Sequence, residues 1–306
     1  MNYENFRESL LSAIGRQSGK EVTYQTRFTK KNNGIYREYL FLQREDSLVS
    51  PAIGLEDIYE KVAGCGIDFE DLAGQILNCC RVETMDVQAD MDAFMEFETA
   101  RRGLYVRLIN REMNRELLRE LPYEEILDLA LICYYHMKNE VIGEGTVLVD
   151  LHQMAAWGVS KEQLFSIARA NTIHTRPASL MNLNDMLRML DRSAFSKIEE
   201  EYPDPWSPLY VLTNDIRTFG AFVLFYPNLL SHVADTFNCS YYVLPSSIHE
   251  TILLPDSGSY SPKDLKEMVI NVNETQMDPR EILSSSVYYY DREKKKLFIP
   301  GEGTYA

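Results

Sequence analysis

The sequence predicts an α+β protein, and three patterns carry the prediction. The stretch Pro208–Ser257 is the longest apolar, β-prone run of the chain and reads β-β-α-β-β. The first hundred residues read α-β-β-(β)-α-α around the turn signal Asn32-Asn33-Gly34. A weak internal repeat relates Ser160–Leu164, with Asn171-Thr172, to Ser261–Leu265, with Asn273 and Thr275. The repeat suggests two duplicated β-α-β-β-α modules behind an N-terminal hairpin-and-helix module. The expected domains are therefore residues 1–100, 101–200 and 201–306, the last with a closing hairpin.

Taken in order, Tyr3–Ile14 is an amphipathic helix with Phe6, Leu10, Leu11 and Ile14 on one stripe. Glu21–Phe28 and Ile35–Leu42 form a hairpin, and Ser50–Ile53 adds a short strand. Leu55–Val62 and Asp68–Cys80 carry helical spacing, and the polar, Met-rich stretch Asp86–Arg102 is a connecting helix. The central module should hold strands at Leu104–Ile109, Ile126–Tyr135 and Thr146–Leu151, and a short helix at Asn114–Glu120. Its last helix, Ser160–Ala170, opens with Ser160 and Gln163 in a capping-box pattern. A helical piece at Leu183–Leu190 precedes Glu199–Glu201 and Pro203–Pro205, the strongest boundary signal in the chain.

In the last module, strands are expected at Leu209–Leu212, Ala221–Phe225, Tyr241–Leu244 and Thr251–Leu254. A helix spans Asn228–Asn238, and the hairpin Val287–Tyr290 with Lys296–Ile299 closes the chain.

A formal charge of −15 over 306 residues argues against a nucleic-acid partner, because phosphate binding needs a basic face to displace counterions. The same charge admits an acidic decoy that occupies a nucleic-acid-binding site. The five cysteines have no framework spacing and no C-x-x-C pair, so neither a zinc ribbon nor a thioredoxin-type pair is suggested. No run approaches membrane-spanning length and the N-terminus lacks a leader pattern, so the expectation is a cytoplasmic protein with no membrane partner.

The chemistry-bearing residues gather in the loop Pro245–Glu250. His249-Glu250 begins like a zinc-protease helix motif, but Leu253 stands where the second imidazole is required, so no metal is expected. Ser247 and His249 share a side of an extended chain, and with Glu250 they are the candidate catalytic residues of a hydrolase. No G-x-S-x-G elbow presents the serine, and ordinary turn chemistry accounts for the same hydroxyls. Asn110 with Arg111, and Asn214 with Arg217, follow strands and are candidate ligand-binding groups for an anion; the same residue types serve equally as Asx turns and caps. No phosphate-cradling glycine motif occurs, and no cofactor is expected. Nineteen tyrosines fit half-buried sheet positions or, if exposed, anchors for a protein partner. With no complete catalytic constellation, a non-catalytic binding protein is the leading expectation.

The runs Arg107–Pro122, Val211–Leu230 and Tyr242–Asp256, with Val272–Gln276 and Val287–Glu293, resemble an uncharacterised family of unknown function. Its members are cytosolic proteins of anaerobic Firmicutes. The resemblance implies a cytosolic bacterial protein and supplies no activity, cofactor or catalytic set.

Overall fold

A computed structural model of the chain describes residues 1–19, 22–44, 52–62, 65–82, 91–139, 143–190, 209–245 and 247–301. The fold is α+β. The chain divides into two compact units, Met1–Gly103 with Tyr135–Val147, and Leu104–Tyr134 with Leu148–Ala306.

In the first unit, helix α1 (Tyr3–Gln17) starts where the Asn2 side chain accepts the Asn5 N–H, an N-cap that satisfies one orphan donor. The 3.6-residue period places Phe6, Leu10, Ala13 and Ile14 on one buried stripe. That stripe packs with Val22 of β1 (Val22–Lys30), Leu40 and Leu42 of β2 (Tyr36–Arg44), Leu55 of α2 (Leu55–Val62), and Ala73, Ile76 and Leu77 of α3 (Phe69–Val82). Each large aliphatic side chain buried there contributes about 2 kcal/mol. The hairpin turns at Asn33, whose φ of +60° an asparagine tolerates, and β3 (Ala52–Gly54) completes the antiparallel order β1-β2-β3.

Among the described residues of this unit, one charged side chain is buried. Glu38, 2% exposed, accepts both Oε contacts from Arg7 Nε at 2.8 Å and the Tyr3 hydroxyl at 3.0 Å. Burial alone would raise its carboxyl pKa, but hydrogen bonds from Arg7, Thr26 and Tyr3 outweigh it and hold the group below the ordinary value of 4.5.

The second unit contains two sheets. The smaller runs β4-β6-β5, from β4 (Leu104–Asn110), β6 (Leu129–Asn139) and β5 (Tyr123–Ile126). β7 (Gly143–Leu148) pairs with β6, and residues 135–139 of β6 and 143–147 of β7 belong to the first unit. The larger sheet has the order β13-β12-β10-β11-β9-β8. Its strands are β8 (Ala178–Asn182), β9 (Tyr210–Asn214), β10 (Tyr241–Leu244), β11 (Thr251–Pro255), β12 (Tyr288–Asp291) and β13 (Lys296–Phe298). The helix Pro262–Thr275 buries Leu265 and Val269 against Tyr242, Leu244, Leu254 and Val287.

A strap, residues 281–288, stitches the unit together. Ile248 N–H donates to Glu281 O and Ser284 N–H to Pro245 O, while Asn110 Nδ2 donates to Leu283 O at 2.9 Å. The hydroxyls of Ser284, Ser286 and Tyr288 donate to the Asp128 carboxylate at 2.5, 2.9 and 2.5 Å. Asp128 occupies the β5–β6 turn beside Leu127, whose φ is +55°.

Several expectations change. Ala221–Phe225 lies within a 3-10 segment, Gly220–Phe225, and is no strand. Ala221, Phe222, Val223 and Leu224 are all buried, so the run has no alternation to distinguish a strand from a buried helical turn. The run Ile126–Tyr135 is broken by the Leu127-Asp128 turn into parts of β5 and β6. Asn114–Glu120 forms turns with a 3-10 piece at Leu117–Arg119, and Thr146–Leu151 splits between β7 and the helix Leu151–Ala156.

The repeated capping boxes both form, at Ser160 with Gln163 and at Ser261 with Asp264. The likeness is shown for the capped helices; the sheets preceding them have different strand orders, and duplicated modules are not confirmed. The boundary signal Glu199–Pro205 and part of the connector Asp86–Arg102 lie outside the described residues.

Two substitutions test these networks. Arg7→Met leaves the Glu38 carboxylate buried with one fewer cation, and should cost about 2–3 kcal/mol in urea unfolding at pH 7. Because the folded-state pKa of Glu38 is lowered, its stabilisation is present above about pH 4.5 and fades as pH falls below it; Arg7→Met should lose that acid dependence. Asp128→Ala removes the shared acceptor of three hydroxyls and should cost about 2–4 kcal/mol by the same measurement.

Candidate functional site

The loop between β10 and β11 is held from below by the strap. Ser247 pairs with Ile282 in an isolated antiparallel bridge, and both Ser247 and Ile248 are buried. The Ser247 Oγ accepts the His249 N–H at 3.0 Å, closing the local turn. The His249 carbonyl accepts the Thr213 hydroxyl at 2.7 Å, which anchors the loop to the end of β9. Ser246 lies outside the described residues.

The His249 imidazole is fixed on two sides. Its Nδ1 accepts the Phe219 N–H at 3.2 Å, and its ring stacks on the Phe219 ring at 5.5 Å between centroids and 15° between planes. With Nδ1 serving as acceptor, the neutral ring carries its proton on Nε2, which faces Glu281 Oε1 at 3.7 Å. Burial lowers the His249 pKa, Glu281 opposes that effect, and Arg107 reinforces it. Burial raises the Glu250 pKa; Glu281 adds to the rise and Arg217 reduces it.

The partner of this imidazole comes from a strained turn. Arg217 and Phe219 have φ of +53° and +51°, the left-handed region that costs a non-glycine residue about 1–2 kcal/mol. Gly220 follows because nothing larger fits: a Cβ there would meet the Thr213 hydroxyl, His249 O at 2.5 Å and Asn214 N at 2.7 Å. The close approach presses the 3-10 segment onto the β9–β11 ladder and sets Phe219 under His249.

The other expected residues are placed as follows. Asn110 Oδ1 accepts the Met113 N–H, and Asn214 Oδ1 accepts the Thr218 N–H while its Nδ2 donates to Thr218 O. Both asparagines thus close their own strand-end loops. Arg111 is ion-paired with Glu125. Ser247, His249, Glu250 and Arg217 share one neighbourhood, with Asn214 beneath; Asn110 joins through the strap, and Arg111 turns to the β5 side.

Sequence reasoning missed Arg107, Phe219 and Glu281. The guanidinium of Arg107 lies 4.5 Å from the Phe219 ring centroid and 5.8 Å from that of Tyr134. Its Nε is buried without a hydrogen-bond partner. Burial pushes its pKa down to about 10, partly offset by Tyr134, so the group stays cationic at neutral pH. The legible signal was a single charge inside the apolar strand Leu104–Ile109.

Two open clefts of about 340 Å³ each lie apart from the loop. One is lined by Leu121, Tyr123, Leu151, Met154 and Lys161, the other by Tyr3, Arg7, Phe28 and Glu38. Among the described residues, no cluster of His, Cys, Asp and Glu is arranged to hold a metal ion, and no helix is long and apolar enough to cross a membrane.

Fold and site together define an α+β protein with a histidine-centred loop packed on aromatic and charged neighbours. The chain belongs to the family of unknown function DUF5688, whose model matches residues 3–292. No curated protein and no solved structure matches it.

The lowered His249 pKa gives a signed expectation. Above about pH 6.5 the imidazole is neutral in both folded and unfolded states and has no effect on the pH dependence. Below it the unfolded chain takes the proton first, so folding stability falls as pH drops through the folded-state pKa. Denaturant titrations between pH 7.5 and 5 should show that loss in the wild type, and His249→Gln should flatten it.

Proposed function

We propose that this protein is a non-catalytic binding protein and that the loop 245–250 is part of its scaffold. One observation carries the reading: the two groups a hydrolase would need to couple are each committed to the backbone. The Ser247 hydroxyl oxygen takes the His249 N–H, and the His249 Nδ1 takes the Phe219 N–H. A serine nucleophile requires its hydroxyl proton to be within reach of an imidazole lone pair. Here the one basic lone pair of the neutral ring is occupied by an amide proton, and its other nitrogen faces a carboxylate. Neighbouring polar groups follow the same pattern, with Asn110 and Asn214 both closing loops.

The test is a screen of activated esters, such as p-nitrophenyl acetate and butyrate, with wild type and Ser247→Ala. The two proteins should hydrolyse them at the same background rate. A rate in the wild type at least 100-fold above that of Ser247→Ala would establish the hydrolase reading instead.

A further inference from the structure

We propose that Arg107 anchors a binding site for a ligand monocarboxylate attached to an apolar or aromatic body. The site deepens the binding reading above and rests on it.

Arg107 differs from Arg111, Arg169 and Arg280. Arg111 pairs with Glu125, Arg169 with Glu124, and Arg280 with Asp278. Among the described residues Arg107 pairs with no carboxylate, and its guanidinium contacts the rings of Phe219 and Tyr134. An arginine in apolar surroundings normally pairs its planar fork with a carboxylate or phosphate, because an uncompensated buried cation is costly. The inner edge of the fork, Nε, is shut off from solvent, yet the residue as a whole keeps intermediate exposure. The open surface therefore belongs to the rest of the side chain, and an incoming anion meets the guanidinium from there.

The surrounding charges choose among anions. Glu281 and Glu250 stand near His249, and the His249 ring is neutral with its Nδ1 already engaged. Arg217 already offsets Glu250, and Arg107 acts on the same imidazole as Glu281, so the balance favours a single negative charge and disfavours dianionic phosphate. The walls that frame the guanidinium are Phe219 and Tyr134, in edge contact with each other at 5.3 Å between centroids. Apolar and aromatic surface next to a carboxylate is what such walls accommodate.

The experiment uses the full chain and three probes: benzoate, acetate and inorganic phosphate, each against sodium chloride at matched ionic strength. Binding is read by thermal shift and by chemical-shift changes of the arginine side-chain Nε–H signals. Benzoate should bind saturably and at least tenfold more tightly than acetate, and phosphate should behave as chloride does. Arg107→Met should abolish the benzoate response while the unliganded protein keeps a similar melting temperature, since losing the contact over Phe219 is offset by removing a buried charge that no carboxylate balances. If Arg107→Met does not fold, Arg107→Lys, which keeps the charge and loses the fork, should weaken benzoate at least tenfold.

Three results would overturn the site: no saturable benzoate response in the wild type, tighter binding of phosphate than of benzoate, or a benzoate response that survives in the variant. The two readings fail separately. Ser247-dependent ester turnover would remove the non-catalytic reading and leave benzoate binding as measured, whereas a flat benzoate titration removes the site and leaves the ester result untouched.

Discussion

Asp128 sits at the turn of the β5–β6 hairpin, and three hydroxyls of the strap, from Ser284, Ser286 and Tyr288, converge on its carboxylate. Hydrogen bonds to a charged acceptor are each worth about 1.5–3 kcal/mol, more than their neutral counterparts. The convergence fixes the strap, and the strap fixes the rest. Its carbonyls at Glu281, Leu283 and Ser284 accept from Ile248, Asn110 and Asn273, so the loop 245–250, the end of β4 and the helix Pro262–Thr275 are all indexed to one short segment. Ser284 also accepts the Ser286 N–H through the same oxygen that donates to Asp128, so that buried hydroxyl serves as both donor and acceptor.

Around the loop, competing demands on a few polar atoms decide what the residues can do. Ser247, His249, Asn110 and Asn214 are residue types that also serve catalysis, but each sits where a backbone group would otherwise be unsatisfied. The packing demand is equally strict at Gly220, where backbone atoms of Asn214 and His249 come too close for any side chain. The strain of the left-handed Phe219 is offset by the stack on His249 and by the guanidinium of Arg107 over the same ring.

The local elements were largely legible because their signals are local. The α1 stripe, the Asn33 turn and the capping boxes at Ser160 and Ser261 each follow from residues within one or two turns of chain. What failed was any inference in which burial was uniform or the partner distant. Ala221–Phe225 reads as a strand because an all-apolar run has no period; as a 3-10 segment it packs against β9, β4 and β11, which lie far from it in sequence or carry no signal within the run itself. Of the candidate site, the sequence singled out Ser247, His249 and Glu250 but not the surroundings that determine their roles. Glu281 and Phe219 are 32 and 30 residues from His249, and Arg107 is farther still. The strand β8 was missed for the same reason, since Ala178–Asn182 is ordered by its pairing with β9 rather than by its own propensity.

The separation between Asp128 and the hydroxyls it receives, 156 to 160 residues, has a consequence for how the protein comes to be folded. On a ribosome the β5–β6 turn emerges well before its strap has been synthesised, at rates of about 5–20 residues per second. For roughly ten seconds or more the Asp128 carboxylate and the end of β4 lack their common partner, and the loop 245–250 waits a few seconds for it. The first unit, whose contacts join neighbouring hairpin and helices, has no such wait apart from its Tyr135–Val147 segment. The second unit is a high-contact-order structure closed late, so its assembly is expected to be the slow phase of folding and the window in which the apolar run 221–225 is exposed to chaperones.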